Sequence, residues 1–388
     1  MGELVREHRA GIRAGMPPVL LLAAAVGIVG ANSLVLSPLA GTVAAGFGAA
    51  TTAADVLTAI ATYGAGTAIS ALFLAPLADR LGLARALHLA LGLLALSLAA
   101  SAAAPGVAGL SLAQAVAGLA AGICLPATYG LAAELSPAGQ EAQTMGRVLT
   151  GWVLSLVFGV AASAVLADAV NWRLVYGIMA GLAAVLCVAA RGLANRPRPG
   201  RAGAQLLKRP GVLPALANVA SFMAAFYGLY AFLGAHMTER LGQSTTVAGT
   251  GALVYGVGFA AAMPLDRVVD RIGTGRIAPI LFGALVCIYA GLAGVAGTLW
   301  LLLPVCFLWG VANHLGLTLI VGGLTRLAPD RRGAILGLYS ATTYGAVFVV
   351  TLVYRPVFEA GGFAPLALLS GLCIVPALIR AWRTRGAP

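Results

Sequence analysis

Asp79-Arg80-Leu81-Gly82 and Asp270-Arg271-Ile272-Gly273 are two copies of one four-residue pattern, 191 positions apart in a chain of 388 residues. Each copy closes an apolar stretch and carries an arginine three residues past its glycine, Arg85 or Arg276, before the next apolar stretch begins. Further echoes keep nearly the same offset: Tyr63-Gly64-Ala65-Gly66 with Tyr255-Gly256-Val257-Gly258, Gly118 with Gly310, and Pro137 with Pro329. Several echoes in the same order across the chain read as two copies of one unit, each filling half of it.

Composition says what kind of unit. The chain is 60% hydrophobic and only 9% charged, and no soluble domain of this size could cover that much apolar surface. Its solvent must be lipid. About 20 apolar residues of helix cross a bilayer core, and twelve such runs stand near 17–40, 55–77, 86–104, 107–132, 146–167, 172–191, 212–236, 246–266, 277–297, 299–325, 334–354 and 363–382. They lack the short alternating pattern of a barrel, so helices are expected. The first run is too long, and too poor in a small-residue cleavage site, for a removable signal. Arg, Pro and Gly cluster between Ala194 and Gly211, where the apolar pattern stops. The expected fold is an all-α membrane protein of twelve transmembrane helices in two pseudo-symmetric bundles, 1–193 and 212–388, joined by a cytoplasmic linker, 194–211.

The net charge of +12 does not point to nucleic acid once its carriers are located. With the amino terminus inside, 21 of the 24 basic residues fall in inner segments, leaving Arg173, Arg240 and Arg355 outside. That is the asymmetry insertion imposes on short loops. Both termini are then cytoplasmic. Near-exclusive use of arginine over lysine, with abundant alanine and glycine, suggests a bacterial inner membrane. Cys124, Cys187, Cys287, Cys306 and Cys373 all lie in apolar runs without paired ligand spacing. His8, His88, His236 and His314 are scattered, so neither a metal centre nor an enzyme's cluster of bases is expected, and no cofactor is implied. A monomer in contact with lipid and a small-molecule substrate is the expectation.

The loop 75–85 resembles the motif between helices two and three of the major facilitator superfamily, glycine then Asp-Arg-x-Gly and basic residues, with Ala75 in place of the leading glycine and Leu83 and Ala84 in place of the first basic positions. Ala133-Glu134-Leu135-Ser136-Pro137, Asn171-Trp172-Arg173 and Leu327-Ala328-Pro329-Asp330-Arg331-Arg332-Gly333 extend the resemblance over essentially the whole chain. The chain is most similar to the bacterial twelve-helix drug and sugar efflux branch. The resemblance implies a secondary transporter working by alternating access, with a conformational latch of Asp79, Arg80, Gly82, Arg85 and Glu134. Asp270, Arg271, Gly273 and Arg276 mirror it, and Arg326 stands where Glu134 would be repeated. It also implies that helices one, four, seven and ten surround the substrate.

On those helices and on helix eleven the polar candidates for substrate binding are Asn32 with Ser33 and Ser37, Gln114, Asn218, Tyr227, Tyr230, Asn313, His314 and Tyr344. All twelve acids fall at helix ends or in loops. Gln114 occupies the position where the family's proton-driven exporters carry arginine, and the antiport motif of helix five, 155–163, has lost its proline. His314, next to Asn313, is the titratable group near a helix centre, and imidazole changes charge near neutral pH. It is therefore the candidate for proton coupling. Gly310, His314 and Thr318 share one helix face, a stripe suited to a cavity. Amides, hydroxyls and aromatic rings without fixed charge suit a neutral or lipophilic molecule, which makes export of such compounds the leading expectation. A facilitator or importer of a small solute is the alternative, with a metal importer using Met223, His236 and Met237 a more remote one.

Overall fold

The computed structural model describes residues 16–74, 80–137, 140–195 and 203–384. Among them twelve helices are long and apolar enough to cross a membrane: α1 (Pro18–Phe47), α2 (Ala53–Phe73), α3 (Leu83–Ala103), α4 (Val107–Leu135), α5 (Gln143–Ala169), α6 (Trp172–Ala190), α7 (Val212–Arg240), α8 (Thr245–Val269), α9 (Thr274–Val295), α10 (Leu299–Arg326), α11 (Ala334–Gly361) and α12 (Phe363–Arg383). The expected all-α membrane fold is what the chain adopts. Large apolar side chains such as Phe73, Leu96, Leu112 and Trp300 are exposed on the bundle's flanks, an arrangement suited to lipid and costly in water.

Packing repeats with a step of six helices. α1 lies on α5, α2 on α4, and α3 on α4 and α6; α7 lies on α11, α8 on α10, and α9 on α10 and α12. The two sets meet along α1 with α7, α2 with α11, and α5 with α8. We name the two ends of the bundle by their loops. The motif face carries Gly82 and Gly273, and the opposite face carries the α1–α2, α5–α6, α7–α8 and α11–α12 turns.

The sequence echoes sit where backbones nearly touch. A Cβ on Gly118 would overlap the Tyr63 carbonyl oxygen, and one on Gly310 would overlap that of Tyr255. Gly66 meets the Ala115 carbonyl and Gly258 that of Phe307 in the same way. The repeated Tyr-Gly-x-Gly segment and its distant glycine are thus two sides of one helix crossing, α2 on α4 and α8 on α10. In lipid, where burial of apolar surface does not drive helix association, such close approach supplies the attraction.

The glycine of each motif has a second reason. Gly82 (φ 88°, ψ 141°) and Gly273 (φ 90°, ψ 138°) share one backbone conformation at the starts of α3 and α9, a region that side chains with a Cβ avoid. Around Gly82 the Asn195 amide closes the turn: its Nδ2 donates to the Leu81 carbonyl at 2.9 Å and its Oδ1 accepts from the Arg85 N–H at 3.1 Å. Asn195 therefore satisfies one of the orphan donors of the α3 amino terminus.

Candidate functional site

Four hydroxyl side chains from both sets of six helices converge near the middle of the bundle. They are Ser33 on α1, Tyr63 on α2, Tyr227 on α7 and Tyr344 on α11, all buried. The Tyr344 ring lies 5.8 Å from that of Tyr63 and 6.3 Å from that of Tyr227, centroid to centroid. The Tyr344 hydroxyl faces those of Ser33, Tyr63 and Tyr227. Close approach of α2 to α11 makes this possible, because Gly64 sits against the Tyr344 carbonyl and the Phe348 amide.

An aromatic wall continues this band into the second six helices. Phe226 stacks on Tyr255 at 5.3 Å, and Tyr230 and Trp309 pack around the pair. Asn313 closes it, its Nδ2 donating to the Tyr255 hydroxyl at 3.0 Å. Ser37 ties α1 to the wall through a hydrogen bond to the Tyr230 carbonyl at 2.6 Å.

Asn32 and Gln114 answer each other instead of pointing to a common ligand. Asn32 Nδ2 donates to Gln114 Oε1 at 3.0 Å, and Gln114 Nε2 donates to Ser101 at 3.1 Å. Every buried amide needs such partners in lipid, and these three residues join α1, α3 and α4. Asn218 is half-buried on α7, nine residues before Tyr227, or roughly 13 Å of helix rise. His236, the residue on which a metal importer would depend, instead donates from Nε2 to the Ala296 carbonyl at 2.8 Å and stacks on Phe363. Among the described residues no group of three or more His, Cys, Asp or Glu is arranged to hold a metal ion.

His314 does not look toward the four hydroxyls. The stripe expected to face a cavity packs on α8, with Gly310 against Tyr255 and the His314 ring edge-on to Phe259 at 4.8 Å. Thr318 is exposed. Nε2 of His314 lies 3.0 Å and 3.2 Å from the two carboxylate oxygens of Asp266. The histidine side chain is 11% exposed and the aspartate 36%. In the sequence Asp266 is one of twelve acids at helix ends or in loops. The signal was in the repeat, where Asp266 takes the place of Ala75 at the head of the second motif.

Polar ties also cross between the two sets of helices toward the opposite face. Arg355 on α11 pairs with Asp55 at the start of α2 and, at 2.8 Å, with Glu359. Glu239, from the end of α7, accepts the Ala53 N–H at 2.9 Å, and Asp168, from the end of α5, accepts from the Thr246 hydroxyl at 2.7 Å and its N–H at 3.3 Å. Both acids therefore sit at helix amino termini, where the helix dipole favours a carboxylate. Thr42 and Thr245 hydrogen-bond beside them. Of the motif latch, Asp79 lies outside the described residues, as does the side chain of Asp270. Arg80, Arg271 and Arg276 stand on the motif face with Gly82 and Gly273, and Glu134 lies in the last turn of α4.

Two local features had no sequence signal. α5 passes through a π-helical turn at Ser155–Gly159, in the region where an antiport motif was expected, and α7 ends in another at His236–Arg240. The first lies against α8, with Gly256 over the backbone of Leu156 and Val157. Such turns are enriched at functional sites.

A family model described as the Major Facilitator Superfamily matches residues 21–351. An uncharacterized MFS-type transporter of Bacillus subtilis (strain 168), YwfA, is 28% identical over 367 residues, covering 91% of this chain and 89% of that protein. A probable sugar efflux transporter of Mannheimia succiniciproducens is 26% identical over 229 residues, 55% of each chain. Among solved structures, a D-xylose-proton symporter superposes with a TM-score of 0.72 at 16% identity, covering 92% of this chain and 96% of that one. A mutant of the nucleoside transporter NupG gives 0.73 at 13% identity, covering 95% and 99%. These two likenesses concern the fold.

Proposed function

The chain belongs to the Major Facilitator Superfamily of membrane transporters, and from that premise we propose that it exports small neutral or lipophilic compounds by alternating access. It is a multi-pass membrane transporter and not an enzyme. The observation that carries the substrate class is the buried meeting of Ser33, Tyr63, Tyr227 and Tyr344 from both sets of six helices. Hydroxyls and ring faces satisfy a neutral molecule's few hydrogen bonds and cover its apolar surface. A bare anion placed there would lose its hydration without a fixed counter-charge. The probable sugar efflux transporters among the relatives favour a neutral solute.

Basic residues orient the protein. Arg80, Arg85, Arg267, Arg271, Arg276, Arg326 and Arg331 all belong to the motif face, which the positive-inside rule places in the cytoplasm of a bacterial inner membrane. Twelve crossings bring both chain ends to that side. The ties of Asp55, Arg355, Glu239 and Asp168 then form the outer gate, closed in this conformation. The two units that rock are 1–193 and 212–388, joined through 194–211, with Asp79, Arg80, Gly82, Arg85 and Glu134 latching the inner side. Tyr230, Asn313 and the Asn32–Gln114 pair hold the walls of the site in shape. An uncoupled facilitator or importer is the competing reading.

Proteoliposomes loaded with chloramphenicol, arabinose or a sugar phosphate test the proposal. The neutral compounds are expected to move, and Tyr344→Phe or Tyr227→Phe to raise KM about fivefold, the worth of one hydrogen bond of about 1 kcal/mol. Movement of the sugar phosphate alone would overturn it.

A further inference from the structure

We propose that Arg173 and His236 are positioning residues of the outer gate: each fastens the helix end that carries a gate acid, Asp168 or Glu239, to its own set of six helices. The inference rests on the reading of the Asp55, Arg355, Glu239 and Asp168 ties as that gate.

It begins from helix ends at matching places in the repeat. The last carbonyls of a helix have no donor within it, and α3 and α9 both have such carbonyls answered by a basic side chain. At the end of α3, Arg173 donates from Nη1 to the Ala102 and Ala104 carbonyls at 2.7 Å and 2.8 Å. At the end of α9, His236 donates from Nε2 to the Ala296 carbonyl at 2.8 Å. Ala296 holds the place of Ala104 in the repeat and Phe363 that of Trp172, each within one residue of the motif offset. The rings correspond as well. The Arg173 guanidinium carbon lies 4.4 Å from the Trp172 ring centroid and 5.8 Å from that of Phe47, and the His236 ring stacks on Phe363 at 4.8 Å. One corner thus joins the ends of α1, α3 and α6, and the other those of α7, α9 and α12. The donor comes from α6 in the first corner and from α7 in the second, so the repeat alone does not align the two.

The donors differ as their settings do. Arg173 is half-buried and keeps its permanent charge near water. His236 is buried, where a neutral imidazole donates without the cost of an enclosed charge.

Both donors sit beside a gate acid. Glu239 lies three residues past His236 in the same π-helical turn, and Asp168 lies five residues before Arg173, across the α5–α6 turn. Asn171 holds that turn, its Oδ1 accepting the Arg173 N–H at 2.8 Å. Helix ends fray, and a carboxylate on a fraying end keeps no fixed distance to a donor on another element. Fastened in this way, Glu239 meets the Ala53 N–H at 2.9 Å and Asp168 the Thr246 N–H at 3.3 Å. The corners stay within one set of helices, and the acids reach across to the other.

Ala53 and Thr246 stand in the first turns of α2 and α8, where an N–H has no intrahelical acceptor. Hydrogen exchange of these two amides in nanodiscs therefore reads each acid separately. His236→Leu is expected to speed exchange at Ala53 about fivefold, the worth of one hydrogen bond, and to leave Thr246 unchanged. Arg173→Leu should do the converse. His236→Leu added to Glu239→Ala should change nothing further. His236→Gln and Arg173→Lys, which keep one donating nitrogen, should exchange as the unmodified protein does. Acceleration of both amides by one variant, additive effects, or failure of His236→Gln to restore the native rate would overturn the inference. The corners are read independently, so a variant that does not insert at one leaves the other to decide. If exchange follows this pattern while spin labels on the α1–α2 and α7–α8 turns show no new longer distance in His236→Leu, the positioning stands and the gate reading fails.

Discussion

At the scale of single residues, Gly82 and Gly273 make the same turn with unequal support. Both occupy φ near 90°, so alanine at either should cost about 1–2 kcal/mol of backbone strain. At Gly82 the added methyl would also fall on the Asn195 amide, whereas at Gly273 it meets open space. Gly82→Ala is therefore expected to lower the melting temperature more than Gly273→Ala, and an Asn195→Ala background should erase the difference. Equal shifts in both backgrounds would show that Asn195 is not the cap it is taken to be. The need for glycine was legible in the repeated motif. The role of Asn195 was not, because it lies 110 positions from the Arg85 amide that it caps.

At the scale of elements, the outer gate is a matter of helix ends. Asp168 caps α8 and Glu239 caps α2, each reaching across from the other set of six helices, while Asp55 holds Arg355. Each contribution is modest, roughly 0.3–1 kcal/mol for a carboxylate at a helix amino terminus or a partly exposed ion pair. Asp168→Asn with Asp55→Asn should together shift the gate equilibrium by up to about thirtyfold. Spin labels at Ala50→Cys and Gln243→Cys, with Cys187, Cys287 and Cys373 changed to serine, would report this as a new longer-distance population. An unchanged distance distribution would mean that packing alone, through Gly41, Gly234 and Gly249, keeps the outer side shut. Sequence alone marked these acids as helix-end residues. Which end meets which depends on the crossing of α2 with α11 and α5 with α8.

At the scale of the whole molecule, two of the three crossings between the six-helix sets, α2 with α11 and α5 with α8, are equivalent in kind. Gly64 meets the backbone of α11, and Gly256 meets the backbone of α5. A valine at either site overpacks a junction where the halves must move, at a cost of about 1–3 kcal/mol. Gly64→Val and Gly256→Val are each expected to insert normally yet slow chloramphenicol counterflow, by similar factors. A variant with unimpaired flux would show that its junction is not a moving one.

The sequence by itself determined the membrane class, the number of spans and the duplication, because hydropathy and charge placement act locally or repeat along the chain. It also picked out Tyr227, Tyr344 and His314 by the cost of polar groups in lipid. Only the tertiary structure decided which partners those groups have. Tyr344 meets Ser33, Tyr63 and Tyr227, Asn32 meets Gln114, and His314 meets Asp266 rather than a shared cavity. Those pairings span 48 residues at the least, and they follow from how helices rotate and break, as α8 does at Pro264. No periodicity in the sequence records that rotation.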